Sequence, residues 1–242
     1  MSVVIKFQVS LFIASQPLTT APENFKKAFE LFFPHGYFPS TVQELAPGIP
    51  TTDRLTLQNN ALGISVQFLS NRIDFVAMPF ASAQNQLPLA QFCDEVRAIT
   101  AIALDAFPVG VERIGLASER VLNDLDSKQL DQVRTHFIAP GIDEFDQTVN
   151  VEWMVRQVIL APLNPETDLL SNQIYSVNRG KMHLSDQTGV REFEALQVAL
   201  DVNTNPTSRM SFDGSGVKQY LADALQAHDS LLQKIEKRIY DR

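Results

Sequence analysis

Val3, Ile5, Phe7, Val9 and Leu11 are interleaved with Lys6, Gln8 and Ser10. Successive side chains of an extended chain point to opposite sides, so this run has one apolar and one polar face and reads as a half-buried strand. The signature returns at Ile64, Val66 and Phe68, at Val149, Val151, Trp153 and Val155, and at Leu196, Val198, Leu200 and Val202. Strands with one wet face suit antiparallel sheets. Between them run two long stripes at helical spacing. Leu89, Phe92, Val96, Ile99 and Ala103 form the first; Val217, Leu221, Leu225, His228, Leu232, Ile235 and Ile239 form the second. The two periods together predict an α+β fold of mostly antiparallel sheets, each covered by a long helix.

The order of elements repeats. In residues 1–108 the strand over 3–13 is followed by a helix that Pro22 opens, with Phe25, Phe29, Phe32 and Phe33 as its apolar face and Pro34, Gly36 and Pro39 as its end. Pro39, Pro47 and Pro50, beside Gly48, predict an irregular loop over 39–53. Strands over 55–58, 63–69 and 72–78 follow, the last two joined by a tight turn at Ser70-Asn71, and then the helix after Pro88. In residues 109–242 a strand over 109–122 precedes a helix capped by Asp126 or Ser127 and bearing Leu130, Val133 and Phe137, which Ala139-Pro140-Gly141 breaks. Strands follow around Trp153, over 174–177 and 181–184 with Asn178-Arg179-Gly180 as a hairpin turn, and over 196–202, before a last helix over 216–240. The two halves share no sequence repeat. They predict a duplicated strand-helix-strands-helix unit, as two lobes or as one continuous sheet.

Composition removes some classes. The chain has 242 residues, 45% of them hydrophobic, enough for a sizeable core. Asp and Glu number 28 against 20 Lys and Arg, for a net charge of -8, and acids outnumber bases in both halves. Nucleic-acid binding needs clustered cations that release counterions, so it is not expected. The lone Cys93 makes no intrachain disulfide and no cysteine zinc site. The first residues carry no charged region ahead of an apolar one, and Lys6, Gln8 and Ser10 interrupt the run, so neither a signal peptide nor a membrane span is expected. The expected location is the cytoplasm.

No phosphate loop, dinucleotide fingerprint, nucleophile elbow or zinc-protease helix is present. Gly214-Ser215-Gly216 could hold an anion on free N–H groups but lacks a following Lys-Ser and reads as a helix-cap loop. His35, His136, His183 and His228 stand far apart, so a metal site would have to assemble from distant segments. Asp143, Glu144 and Asp146 read as a solvated turn rather than an acid–base pair. Cys93, next to Phe92, reads as a small buried residue. Two residues remain as binding candidates. His228 interrupts the apolar stripe of the last helix with a group that titrates near neutral pH. Arg113 lies in an apolar strand, where a charge needs exposure, a distant acid or an anionic ligand; Glu112 points to the other face.

Three stretches carry a resemblance: Arg72-Ile73-Asp74-Phe75; Val111-Glu112-Arg113-Ile114-Gly115-Leu116 with Asn123 beyond it; and Ala227-His228-Asp229 ahead of Ile235. In this order they resemble an uncharacterised, sporadically distributed family of bacterial proteins of about this length. There a strand reading Arg-(aliphatic)-Gly-Leu-Arg leads towards an Asn, and the last helix carries a Leu-His pair. Ala117-Ser118 depart from the pattern, where a further Arg and an aromatic residue would stand. The resemblance implies a bacterial source, no established activity, and a role beside mobile or defence genes. The absent catalytic motifs predict a non-catalytic interaction or binding module without cofactor or metal, acting through its sheet or last helix on a protein partner or a second copy. The alternative is a small-molecule binder or enzyme with a pocket between a long helix and the sheet.

Overall fold

The computed structural model describes residues 2–14, 18–46, 49–79, 87–107, 109–138, 152–167, 169–186, 189–207 and 210–240. Among the described residues nine strands form one antiparallel sheet in the order β2-β3-β4-β5-β1-β6-β9-β8-β7. They are β1 (Ser2–Ile13), β2 (Phe38–Ala46), β3 (Ile49–Asn59), β4 (Ile64–Phe68), β5 (Arg72–Ala77), β6 (Val111–Leu122), β7 (Trp153–Pro162), β8 (Leu170–Asp186) and β9 (Gly189–Thr204). Among the described residues the α-helices are α1 (Pro22–Phe32), α2 (Leu89–Ala106), α3 (Ser127–Phe137) and α4 (Gly214–Tyr240). β1 pairs with β6 from Ser2↔Leu122 to Ile13↔Val111, so the sheet runs unbroken from the first half of the chain into the second. No described helix is long and apolar enough to cross a membrane.

The alternation in β1 decides what each side of the sheet meets. Phe7, Val9, Leu11 and Ile13 are buried, and the Phe7 ring stacks on Phe92 of α2 with centroids 5.8 Å apart. On α2 the stripe Phe92, Val96, Ile99 and Ala103 is buried, as the helical spacing predicts, and Cys93 beside it is buried too. α4 packs on β6, β8 and β9 as well as on α2 and α3. Its buried residues include Val217, Leu221, His228, Ile235 and Ile239 from the predicted stripe, joined by Tyr220, Ala224 and Leu231. These side chains divide between a large apolar cluster around β1, β4, β5 and α2 and a smaller one around α3, β7, β8 and β9. α3 begins with a reciprocal cap: Asp126 Oδ1 accepts from Gln129 N at 2.8 Å, and Gln129 Oε1 accepts from Asp126 N at 2.9 Å.

Three local expectations are corrected. Residues 39–46 and 49–53 lie in two paired strands rather than a loop, in register from Phe38↔Gln58 to Glu44↔Thr52 and, past a register shift, at Ala46↔Ile49. β2 is an edge strand, where a proline such as Pro39 can place its missing N–H away from the ladder. Asn178-Arg179-Gly180 is no turn. β8 runs straight through it, with Arg179 opposite Trp153 on one side and Leu196 on the other. The Arg179 side chain is 2% exposed and pairs with Asp131 of α3 and, at 2.8 Å, with Glu194 of β9. Long-range ion pairing outweighs the local turn preference of Asn and Gly. On α1 the buried residues are Ala28 and Phe32, while Phe29 and Phe33 are each 45% exposed and cluster with Phe38. Gly36, at φ 80, follows in the left-handed region that ends this segment.

Trp153 is 8% exposed and sits in the smaller cluster; Val149 and Val151 lie outside the described residues. Native tryptophan emission is therefore expected to be blue-shifted and to move to the red on denaturation. A native spectrum like that of free tryptophan in water would contradict this placement.

Candidate functional site

The face of the sheet turned away from Phe7 and Phe92 carries the polar alternates. Register builds a compact patch at its centre. β1 sets Gln8 beside Ala117, Ser10 beside Gly115 and Phe12 beside Arg113. β9 sets Asn203 beside Gly115 and Asp201 beside Ala117. These eight residues line a depression of about 250 Å³, with small side chains as its floor. At Gly115 an added Cβ would sit 3.4 Å from Asn203 Cβ and 3.7 Å from Asp201 Oδ1, so the glycine keeps this floor low. A neighbouring depression of about 220 Å³ shares Ala117 and Asp201 and extends to Arg156 and Ser176.

Arg113 is half-buried, with its guanidinium carbon 4.7 Å from the centre of the Phe12 ring. Its Nε is buried without a hydrogen-bond partner, and among the described residues Arg113 makes no ion pair. Asp201 is its acidic counterpart. Burial pushes the Asp201 carboxyl above its ordinary value, although a 2.8 Å hydrogen bond donated by Asn203 Nδ2 and the charges of Arg156 and Arg113 oppose the rise. Asn203 Oδ1 in turn accepts from Asn172 Nδ2 at 3.2 Å. The other side of the depression is internally satisfied: Gln8 Nε2 donates to Ser10 Oγ, Ser10 donates to Asp74 at 2.7 Å, and Arg72 pairs with Asp74 at 2.9 Å. A cation and an acid thus share one depression while Arg72 and Asp74 neutralise each other beside it.

His228 lies elsewhere. Its Nε2 is 2.7 Å from Ser118 Oγ on the apolar side of β6, and its Nδ1 is 3.4 Å from Asp229 Oδ1. The residue types match a nucleophilic triad, but acyl transfer needs a substrate carbonyl at the serine oxygen. Ser118 is 1% exposed and His228 0%. The pair therefore works as a clasp between α4 and β6, beside the Arg120–Glu236 ion pair at 3.1 Å. Burial, with the positive charge of Arg120, holds the His228 pKa below its ordinary 6.5, against the pull of Asp229. Above pH 6.5 the imidazole is neutral folded or unfolded, and the clasp costs nothing in protons. Below it the unfolded chain takes up the proton first, so stability falls with pH until the folded pKa is reached. The urea midpoint is expected to drop between pH 7.5 and 5.5 more steeply in the natural chain than in His228→Gln. Equal slopes would contradict a neutral buried histidine.

The remaining sequence candidates are structural or lie outside the described residues. Asp213 Oδ1 accepts from Gly216 N and from Ser215 Oγ, both at 2.7 Å, so the carboxylate occupies the start of α4. Burial pushes the Cys93 thiol up to about 12. His136 Nδ1 lies 2.8 Å from the Arg238 carbonyl, and His183 is exposed. Asp143, Glu144 and Asp146 lie outside the described residues. Among the described residues no three His, Cys, Asp or Glu side chains are grouped to hold a metal ion. Sequence reasoning reached Arg113 but missed Phe12, Asp201 and Asn203. The available signals were an aromatic on the polar side of β1 and an acid between Leu200 and Val202 in an apolar strand. No family model, no curated protein and no solved structure matches this chain.

Proposed function

We propose that this chain is a non-catalytic bacterial binding module, of the uncharacterised family it resembles, whose working surface is the polar face of its sheet. The observation that carries this reading is the pair of Arg113 and Asp201, facing one depression without an ion-pair partner among the described residues. A half-buried guanidinium held over an aromatic ring at the rim of a depression suits a ligand carboxylate, which a guanidinium can bind through two parallel hydrogen bonds. The elevated pKa of Asp201 fits a site that accepts a stability cost for binding. The alternative pocket between a long helix and the sheet has less support, because apolar side chains such as Phe7, Phe92 and Leu221 fill that layer.

The reading extends to architecture. β1-α1-β2-β3-β4-β5-α2 and β6-α3-β7-β8-β9-α4 both run strand, helix, several strands, long helix, with four strands after the first helix in one half and three in the other. From the central β1–β6 pair, β5 then β4 succeed on one side and β9 then β8 on the other. This order supports a duplicated unit with a long helix over each half, and it places the depression at the junction of the halves.

The test is thermal unfolding of the whole chain with acetate, succinate, glycine and inorganic phosphate. A carboxylate is expected to raise the melting temperature in a dose-dependent way, and Arg113→Gln to abolish the rise. Asp201→Asn removes a half-buried charge and is expected to raise the ligand-free melting temperature at pH 7.5. No stabilisation by any probe, or the same stabilisation in Arg113→Gln, would overturn the site.

A further inference from the structure

Two charged groups of opposite sign face the central depression with bonding capacity unused. Asp201 Oδ2 accepts from Asn203, but among the described residues no donor reaches Oδ1, which stands 3.7 Å from where a Cβ on Gly115 would lie. The terminal nitrogens of Arg113 likewise make no hydrogen bond among the described residues and, unlike its Nε, are not sealed from solvent. The two groups form no ion pair with each other. Register explains why. Asp201 pairs with Ala117, four residues and about 13 Å along β6 from Arg113, whose guanidinium is drawn aside over the Phe12 ring of β1. Between them the floor is Gly115 and Ala117, which offer no side chain to bridge the gap.

We propose that the ligand of this depression is a small amino carboxylate, whose carboxylate meets Arg113 and whose ammonium group meets Asp201. The proposal rests on the reading of the depression as a carboxylate site and adds the second charge. A plain carboxylate would satisfy Arg113 but bring another negative charge beside the half-buried Asp201, and like charges in one site repel. An ammonium group instead donates to the open Oδ1 and restores the solvation that burial takes from the carboxylate. Because the two side chains do not touch, the ligand needs a short chain between its charges. Arg156 also acts on Asp201, from the neighbouring depression, but it is exposed and water screens it. It therefore leaves Asp201 in need of a nearer cation.

Titration calorimetry of the full chain at pH 7.5 and matched ionic strength compares glycine, β-alanine and 4-aminobutyrate with acetate, propionate and butyrate. At least one amino carboxylate is expected to bind about tenfold or more tighter than its matched plain acid, the scale of a hydrogen bond between charged groups. This comparison needs no variant. Asp201→Asn is expected to remove the preference while the plain acids still bind, and Arg113→Gln to lose both kinds of ligand. Plain acids that bind as tightly as the amino carboxylates, and are lost in Arg113→Gln, would overturn the proposal and leave the carboxylate site standing. A preference that survives in Asp201→Asn would overturn it as well. So would glutarate binding tighter than every amino carboxylate, since its second carboxylate would point to Arg156 rather than Asp201. Binding of no probe at all would overturn the site itself and the proposal with it.

Discussion

Deleting residues 213–242 is expected to leave an insoluble chain. The deletion removes eight buried side chains of α4, from Val217 to Ile239, and uncovers the parts of β6, β8 and β9 on which they pack. Each large apolar side chain is worth about 1.5–3 kcal/mol in burial. Their sum rivals the roughly 5–15 kcal/mol that holds a whole domain together. The same cut leaves Ser118 without its His228 partner and Arg120 without Glu236. Soluble protein with a cooperative unfolding transition would refute this dependence. Removing only 238–242 is a milder operation. Ile239 is 4% exposed, Arg238 Nε donates to the His136 carbonyl, and Tyr240 donates to Asp124 at 3.1 Å. The tip is therefore docked on α3 and its flank. The short deletion should lower the melting temperature and leave the fold in place.

Phe92→Ala is expected to cost about 3–5 kcal/mol of stability, the range for emptying a closed aromatic site. Phe92 is fully buried between α2 and β1 against the Phe7 ring. Neighbours held by a sheet and a helix have little freedom to collapse into the space. Phe29→Ala, at a position 45% exposed, should cost far less. Urea unfolding of the two variants reads the difference, and similar midpoints would refute the assigned burial. The pair is instructive because both residues sit on a helical stripe of phenylalanines or aliphatics in the sequence. Periodicity ranks faces within one helix. It does not say how much of the face a neighbouring element reaches.

The antiparallel α+β class, the long helices after Pro88 and Asp213, the Asp126 cap and the Ser70-Asn71 hairpin were legible because each depends on residues a few positions apart. Period-two runs, 3.6-residue stripes, caps and tight turns are local signals. The 39–53 stretch and Asn178-Arg179-Gly180 were misread because edge position and a long-range ion pair overrode local preference there. The candidate site was legible only as a charge out of place at Arg113. Its other members lie on β1 and β9, and register alone sets Phe12 beside Arg113, and Asn203 and Asp201 beside Gly115 and Ala117. His228 likewise announced itself as a polar residue on an apolar stripe, but only packing gave it Ser118 as partner and sealed both from solvent. Amino-acid order by itself determined the strands and helices that carry a clear period of two or 3.6 residues, such as β1, α2 and α4, and the apolar face of each. The tertiary structure decided which strands are neighbours, because backbone pairing is indifferent to side-chain identity and is chosen by the packing of the whole sheet.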